Sequence, residues 1–254
     1  MKLKKFELLL LILAGIFVIY ILISLFSLFG AIGWGSDILE QLSSNRVLLA
    51  LWISVATSTI VALIALIFGI PTAWLLAYRD FRGKTVLETL IVTIPISYPP
   101  GVVGMSYLLV FGQTSLVNSF WAIIMVKTFI SSPFLISLLT SKFREIRKTN
   151  LEVVAKSLGA SDFQAFRTIS LPLSIKTIAI GSGLTWARAM GEIAGTIVFA
   201  GAIIPGWTET IPSIIVFEAQ TSLPIALTVA MILALFSITI LIIFRVLIER
   251  KADY

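Results

Sequence analysis

Three charged residues lie inside otherwise apolar stretches of the chain: Lys127, Arg188 and Glu192. Arg188 and Glu192 are four positions apart, the spacing at which opposite charges pair along one helical turn. A lone charge at mid-membrane costs about 3 kcal/mol on insertion scales, so such a pair turns toward other helices rather than lipid. Two kinds of chemistry fit a cation–carboxylate cluster in this setting. The first is an intramembrane active site, for example that of a lipid-modifying transferase, with Lys127, Arg188 and Glu192 as its polar groups. The second makes no bond: the cluster lines or gates a passage, or holds helices in register. Lys127 itself has three readings, namely snorkelling to the membrane surface, attracting an oxyanion, or pairing with Glu192. The 254-residue chain has no His and no Cys, which removes a histidine base, a thiol nucleophile, a thiolate metal site and any disulfide. No metal site and no catalytic residue are assigned, and the apolar stretches hold no acidic pair, which counts against the enzyme. A phosphate-binding Gly-x-x-x-x-Gly-Lys loop is also missing: Gly83-Lys84 has Tyr78 where the first glycine should stand. No cofactor is expected on this chain.

A second group of residues, 149–172, is polar where its surroundings are not. Thr149 stands three before Glu152, and Ser161 three before Gln164, both capping-box spacings at a helix start. Leu151, Val154, Ala155 and Leu158 fall at i, i+3, i+4 and i+7, an apolar stripe on a helix of about two turns. Gly159 is placed to end that helix in a left-handed turn, continued by Ala160 and Ser161. The next short helix puts Phe163 and Phe166 on one side and stops before Leu171-Pro172, because the residue before proline avoids the helical region. The stripe has no partner within its own loop, which suits docking into a groove of another protein. The alternative is a connecting loop packed on the inner ends of the spans.

The elements that must position these residues are membrane spans. Apolar residues make up 58% of the chain, above the usual ~45–50%. Spans are expected over about 6–32, 47–78, 86–111, 120–140, 175–202 and 224–248. The first run is too long for a signal peptide. The third breaks at Pro99-Pro100-Gly101, and a backbone break in mid-membrane belongs in the bundle interior, where transporters use it to shape a pathway. In the fifth, Ala187, Gly191 and Gly195 form a row of small residues that admits another helix closely. Residues 203–222 are expected to be a loop with one short helix at the interface.

Charge decides the orientation. With the N-terminus inside, sixteen basic residues fall in inner segments and only Arg46 outside. The positive-inside rule therefore predicts an all-α integral membrane protein of six transmembrane helices with both termini cytoplasmic. The net charge of +6 reflects topology, not nucleic acid. Segment 143–173 is the largest cytoplasmic feature.

That segment resembles the cytoplasmic signature of permease subunits of binding-protein-dependent ABC importers: Glu-Ala-Ala, three residues, Gly, nine residues, Ile, one residue, Leu-Pro. Gly159, Ile169, Leu171 and Pro172 match its second half. In the first half only Ala155 matches; Val153 and Val154 replace Glu and Ala, and Glu152 is one position early. Pro99-Pro100-Gly101-Val102-Val103-Gly104, Ser132-Pro133, residues 186–196 and residues 199–212 are similar to permeases for molybdate, tungstate and sulfate, leaning to the first two. The resemblance covers about residues 47–248. It implies a type I ABC importer permease fold in a single domain, a homodimer in the cell membrane with the pathway between copies, and a coupling helix at Leu151–Leu158. It further implies two cytoplasmic ATPases that carry ATP and Mg, and an extracytoplasmic oxyanion-binding protein. Sulfate, or another solute, is the alternative cargo.

Overall fold

The computed structural model describes residues 5–30 and 36–250. Lys2, Lys4, Lys251 and the expected end of the first span at residue 32 lie outside the described residues. Every regular element described is helical. Helix α1 (Lys5–Gly30) exposes apolar side chains on all sides, including Leu9, Ile12, Ile16 and Phe17, the pattern of a helix whose neighbour is lipid. The short α2 (Ser36–Ser43) leads into α3 (Asn45–Tyr78), which runs unbroken through Pro71.

The expected third span is not one rod. Helix α4 (Lys84–Glu88), a π turn (Thr89–Thr93) and α5 (Ile94–Ser97) form its first half. At Tyr98-Pro99 the chain swings by 114° into α6 (Pro100–Phe111). Helix α7 (Phe120–Lys148) extends eight residues past the expected end at 140. The connecting segment contains α8 (Leu151–Ser157), α9 (Asp162–Ala165) and a second π turn (Phe166–Ser170).

Here the chain departs from the expected stop before Leu171-Pro172. The π turn passes directly into α10 (Leu171–Met190), with Pro172 in its first turn, where a missing N–H is no loss. Both π turns end two residues before a proline, Pro95 and Pro172. A proline supplies no N–H to the carbonyl four residues back, and the wider turn changes the register of the ladder there. The Ile94 and Leu171 amides accordingly bond five residues back, to Thr89 and Phe166.

A correction also applies to the fifth span, expected to run continuously over 175–202. Helix α10 ends at Met190, and α11 (Ala194–Ala200) begins after a three-residue break. Helices α12 (Ile211–Thr221) and α13 (Leu223–Arg250) complete the chain. Rather than lying on the surface, α12 packs on α13 and α3 with Ile211 and Ile214 buried. Among the described residues, four helices are long and apolar enough to cross a membrane: Phe6–Leu28, α3, α7 and Leu223–Ile243; the bent pair α4–α6 makes a fifth if counted as one.

The centre of the bundle is α3 against α7, flanked by α10. The buried face of α3 is small and polar, with Ala50, Ser54, Thr57, Ser58, Ala62 and Ala65, so the helices approach closely. Leu76, Leu135, Leu139 and Phe143 fill the core toward the basic end. Ile53, Val103, Ile123 and Phe199 fill it toward the other end.

Candidate functional site: a capped knob and two interrupted helices

At the basic end, α7 gives way to α8 through Asn150, whose φ of +58° is left-handed. The capping box expected at Thr149 and Glu152 does not form. Thr149 turns its hydroxyl back to the Ile146 carbonyl at 2.7 Å, and Glu152 points inward. The stripe behaves differently: Leu151, Val154 and Leu158 are exposed by 44%, 55% and 84%, and Ala155 is half-buried. Together these side chains form an exposed apolar patch on the helix.

The helix ends as the residues require. Gly159 has φ +96°, its amide bonds to the Lys156 carbonyl at 3.0 Å, and the Ala160 amide bonds to the Ala155 carbonyl at 3.0 Å. These are the paired bonds of a Schellman cap. Two residues on, the second capping box forms in full: the Gln164 amide donates to the Ser161 hydroxyl, and the Ser161 amide donates to the Gln164 side chain. Phe163 and Phe166 part company. Phe163 is exposed, whereas Phe166 meets Trp74 and Phe143 edge-on in the core. Both border a 440 Å³ cavity with Trp74, Arg79 and Asp162. Ile169 and Leu171 pack against the same core, and Pro172 is exposed at the start of α10.

Ion pairs fasten the knob to the spans. Asp162 receives Lys156 at 2.7 Å and Arg79 at 2.6 Å, and these two cations, Lys156 first, hold its carboxyl below the usual carboxylate range. Arg147 at 2.7 Å and Lys84 at 2.9 Å do the same for Asp80 in the neighbouring loop. The Arg79 guanidinium also lies over the Trp74 ring, 5.5 Å from its centroid.

The intramembrane charges occupy the middle of the bundle. Lys127 is wholly buried; its Nζ donates to the Thr57 hydroxyl at 2.9 Å and the Ser58 hydroxyl at 3.4 Å. It does not snorkel. Nor does it bond Glu192, whose oxygens take Arg188 and the Gly195 amide. Arg188 and Glu192 do pair, at 3.4 Å, and the two side chains differ in exposure: 35% for Arg188 and 2% for Glu192. The other oxygen of Glu192 accepts the Gly195 amide at 2.8 Å, so one carboxylate in the break bonds Arg188 of α10 and the first turn of α11.

This break lies against the other one. A Cβ on Gly195 would be 2.6 Å from the Pro100 carbonyl oxygen, and a Cβ on Gly104 would be 2.5 Å from the Gly195 oxygen. Hence α6 and α11 cross at backbone contact, with Pro100 and Gly195 at the crossing. Pro99 is exposed at the bend, a Cβ on Gly101 would meet open space, and Gly191 is exposed in the break. The expected row of Ala187, Gly191 and Gly195 is therefore interrupted: Ala187 packs against the Ala62, Trp186 and Met190 cluster, Gly195 packs against α6, and Gly191 between them is exposed. Residue spacing does not single out Thr57 or Ser58, and Gly104 stands out only as the end of the Pro99–Gly104 run. A hydroxyl pair in the apolar run of α3 was the available signal for the first two.

At the far end, Arg46 bridges two acids. It bonds Glu209 at 2.7 and 3.0 Å and Glu218 at 2.6 Å, tying the 201–210 loop and α12 to the start of α3. The Ile211 amide donates to the Ser54 hydroxyl at 2.9 Å on the same side.

A helical bundle with two interrupted spans crossing over buried charges, and a rigid apolar knob at its basic end, is built as a multi-pass membrane permease. The structure aligns with a subunit of a bacterial ABC transporter involved in import of the acidic polysaccharide alginate, at TM-score 0.69 and 16% identity over 97% of this chain and 96% of that one. It aligns with the MetNI methionine ABC transporter in inward-facing conformations at TM-score 0.64 and 18% identity, over 79% and 94%. The fold is thus that of a type I ABC importer permease. Residues 69–253 match the family described as binding-protein-dependent transport system inner membrane component, and the chain belongs to that family. Among its relatives is the molybdate/tungstate transport system permease protein WtpB of Thermococcus kodakarensis, 35% identical over 84% of both chains. Another is the molybdenum transport system permease protein ModB of Escherichia coli K12, 32% identical over 68% of this chain and 80% of that one. These relatives are transport proteins, and the chain is a transport subunit, not an intramembrane enzyme.

Proposed function

We propose that this chain forms the translocation pathway of an ATP-driven importer for molybdate or tungstate, in the cell membrane, with six crossings and both termini cytoplasmic. The carrying observation is its likeness to permeases that bear those two anions in their names, at 35% identity over 84% of the chain. Two of the six crossings are the interrupted ones, α4–α6 and α10–α11. A homodimer places the pathway between copies, where Pro99, Pro100, Gly101, Gly191 and the half-exposed Arg188 supply its lining or gate. Lys127, Glu192 and Gly195 hold that gate from inside each protomer. An extracytoplasmic oxyanion-binding protein delivers the anion.

Two cytoplasmic ATPases, which bind ATP and Mg, dock on the coupling segment. The exposed stripe of Leu151, Val154 and Leu158, set by Gly159, Ala160 and Ser161 and braced by Ile169, Leu171 and Pro172, supports that docking. Phe163 extends the same apolar surface.

The test is reconstitution in vesicles with the ATPase and binding protein from neighbouring reading frames. Uptake of radiolabelled molybdate or tungstate that needs ATP on the cytoplasmic side and binding protein on the other is the expected result. Uptake of sulfate in preference to either would replace the cargo. Uptake without any nucleotide-hydrolysing partner would sink the importer reading.

A further inference from the structure

An acidic residue on a docking helix invites assignment as a contact for the partner. Glu152 on α8 is placed differently. It is 4% exposed, while Leu151 and Val153 on either side are exposed. One carboxylate oxygen accepts the hydroxyl proton of Ser170, the last residue of the second π turn. That fixes the polarity of the next bond. Ser170 has a single hydroxyl proton and gives it to Glu152, so the Tyr78 hydroxyl, 2.9 Å from Ser170, donates to Ser170. Tyr78 is the final residue of α3. The chain Tyr78 to Ser170 to Glu152 therefore joins the inner end of α3, the entrance to α10, and the docking helix.

A second line of contacts closes the loop. One turn after Glu152, Lys156 bonds Asp162 at 2.7 Å and lies 3.6 Å from Glu152 itself. Asp162 bonds Arg79 at 2.6 Å, and Arg79 follows Tyr78 in the chain. The result is a ring of side chains that begins and ends on α8. Its Lys156–Asp162–Arg79 arc is solvent-exposed and weak, as surface ion pairs are. The Ser170–Glu152 bond is buried, and the Tyr78–Ser170 bond is part-buried, so this arc is shielded where the other is not.

We infer that Glu152 is a positioning residue: through Ser170 and Tyr78 it makes the docking helix α8 rigid with the inner ends of α3 and α10, and it does not grip the ATPase. This rests on the importer reading above. Displacement of α8 then moves α3 and α10 together. Those are the helices that carry Thr57 and Ser58, the partners of Lys127, and the Arg188 turn beside the break.

The test uses the whole importer in vesicles with molybdate as the probe, and reads three quantities: ATPase co-purification, ATP hydrolysis, and molybdate taken up per ATP. For Glu152→Ala, co-purification stays within about twofold of wild type while uptake per ATP falls about tenfold or more, the scale for loss of a buried hydrogen bond to a charge. Tyr78→Phe lowers the same ratio by a smaller factor. Adding it to Glu152→Ala lowers it no further, because both cut one chain of bonds. Leu158→Glu gives the opposite pattern, lost co-purification. Co-purification lost by Glu152→Ala as fully as by Leu158→Glu would overturn the inference, as would an unchanged uptake-to-ATP ratio. If Glu152→Ala does not fold, Tyr78→Phe decides by the same ratio. A wild-type complex that neither assembles nor transports overturns the importer reading itself.

Discussion

Replacing Gly195 by alanine tests whether the two interrupted spans are locked where they cross. The new Cβ would stand 2.6 Å from the Pro100 oxygen and 2.7 Å from Val126 Cγ1, where ordinary contact begins at 3.4 Å. The shortfall is about 0.8 Å on the α6 side and about 0.7 Å on the α7 side. Helix α11 is thus pinched from two directions, and one obstacle is backbone that cannot rotate away. Overpacking of a filled interior costs about 1–3 kcal/mol, and a two-sided clash belongs at the upper end, about 3 kcal/mol. For a chain of this size that lowers the melting temperature by about 6–12 °C. Gly191→Ala is the matched control: its nearest neighbour would be the Ala187 oxygen at 3.9 Å, so the change stays within about 0.5 kcal/mol. Thermal unfolding of both variants in detergent measures the difference. Equal melting temperatures for the two variants would refute the reasoning, since it rests on their unequal space.

Other perturbations separate the knob from the bundle. Leu158→Glu alters a side chain that is 84% exposed, so its melting temperature stays near wild type while ATPase co-elution falls; unchanged co-elution would return the stripe to the bundle's own packing. Arg46→Gln leaves Glu209, 2% exposed, without its guanidinium. Discounted because Arg46 itself is 43% exposed, the loss is about 1–2 kcal/mol, read as a lower melting temperature that Glu209→Gln partly restores. Asp80 and Asp162 have carboxyls held below the ordinary range. Their contribution is present above that range and is lost only as pH falls through the lowered values, so the carboxyl-carbon NMR shifts of both residues are constant from about pH 8 to about pH 5. A midpoint within that window would contradict it.

What the residue pattern revealed was local, and what it concealed was long-range. The apolar run from Val47 to Tyr78 identified α3 to within two residues, because length and hydropathy alone define such a helix. The Ser161–Gln164 capping box formed because both partners lie within one turn. Thr149 and Glu152 have the same spacing, yet Glu152 found Ser170, eighteen positions on and visible only in three dimensions. The stop expected at Leu171-Pro172 failed because a π turn carries the ladder past the proline. The break after Met190 had no proline to announce it; within it Glu192 bonds the Gly195 amide. Arg188 and Glu192 pair as their spacing implied, but one faces outward and the other is sealed, a difference no periodicity encodes.

The enclosure of Lys127 has a consequence for how the protein is made. Its two hydroxyl partners, Thr57 and Ser58, lie 70 and 69 residues earlier, in a helix synthesised before α7. Alone in the bilayer, α7 would carry an ammonium with nothing to receive its protons, at a cost of about 3 kcal/mol. Beside α3 it meets acceptors already in place. Helix α7 is thus matched to α3 as a pair, and the order of translation supplies the acceptors before the ammonium.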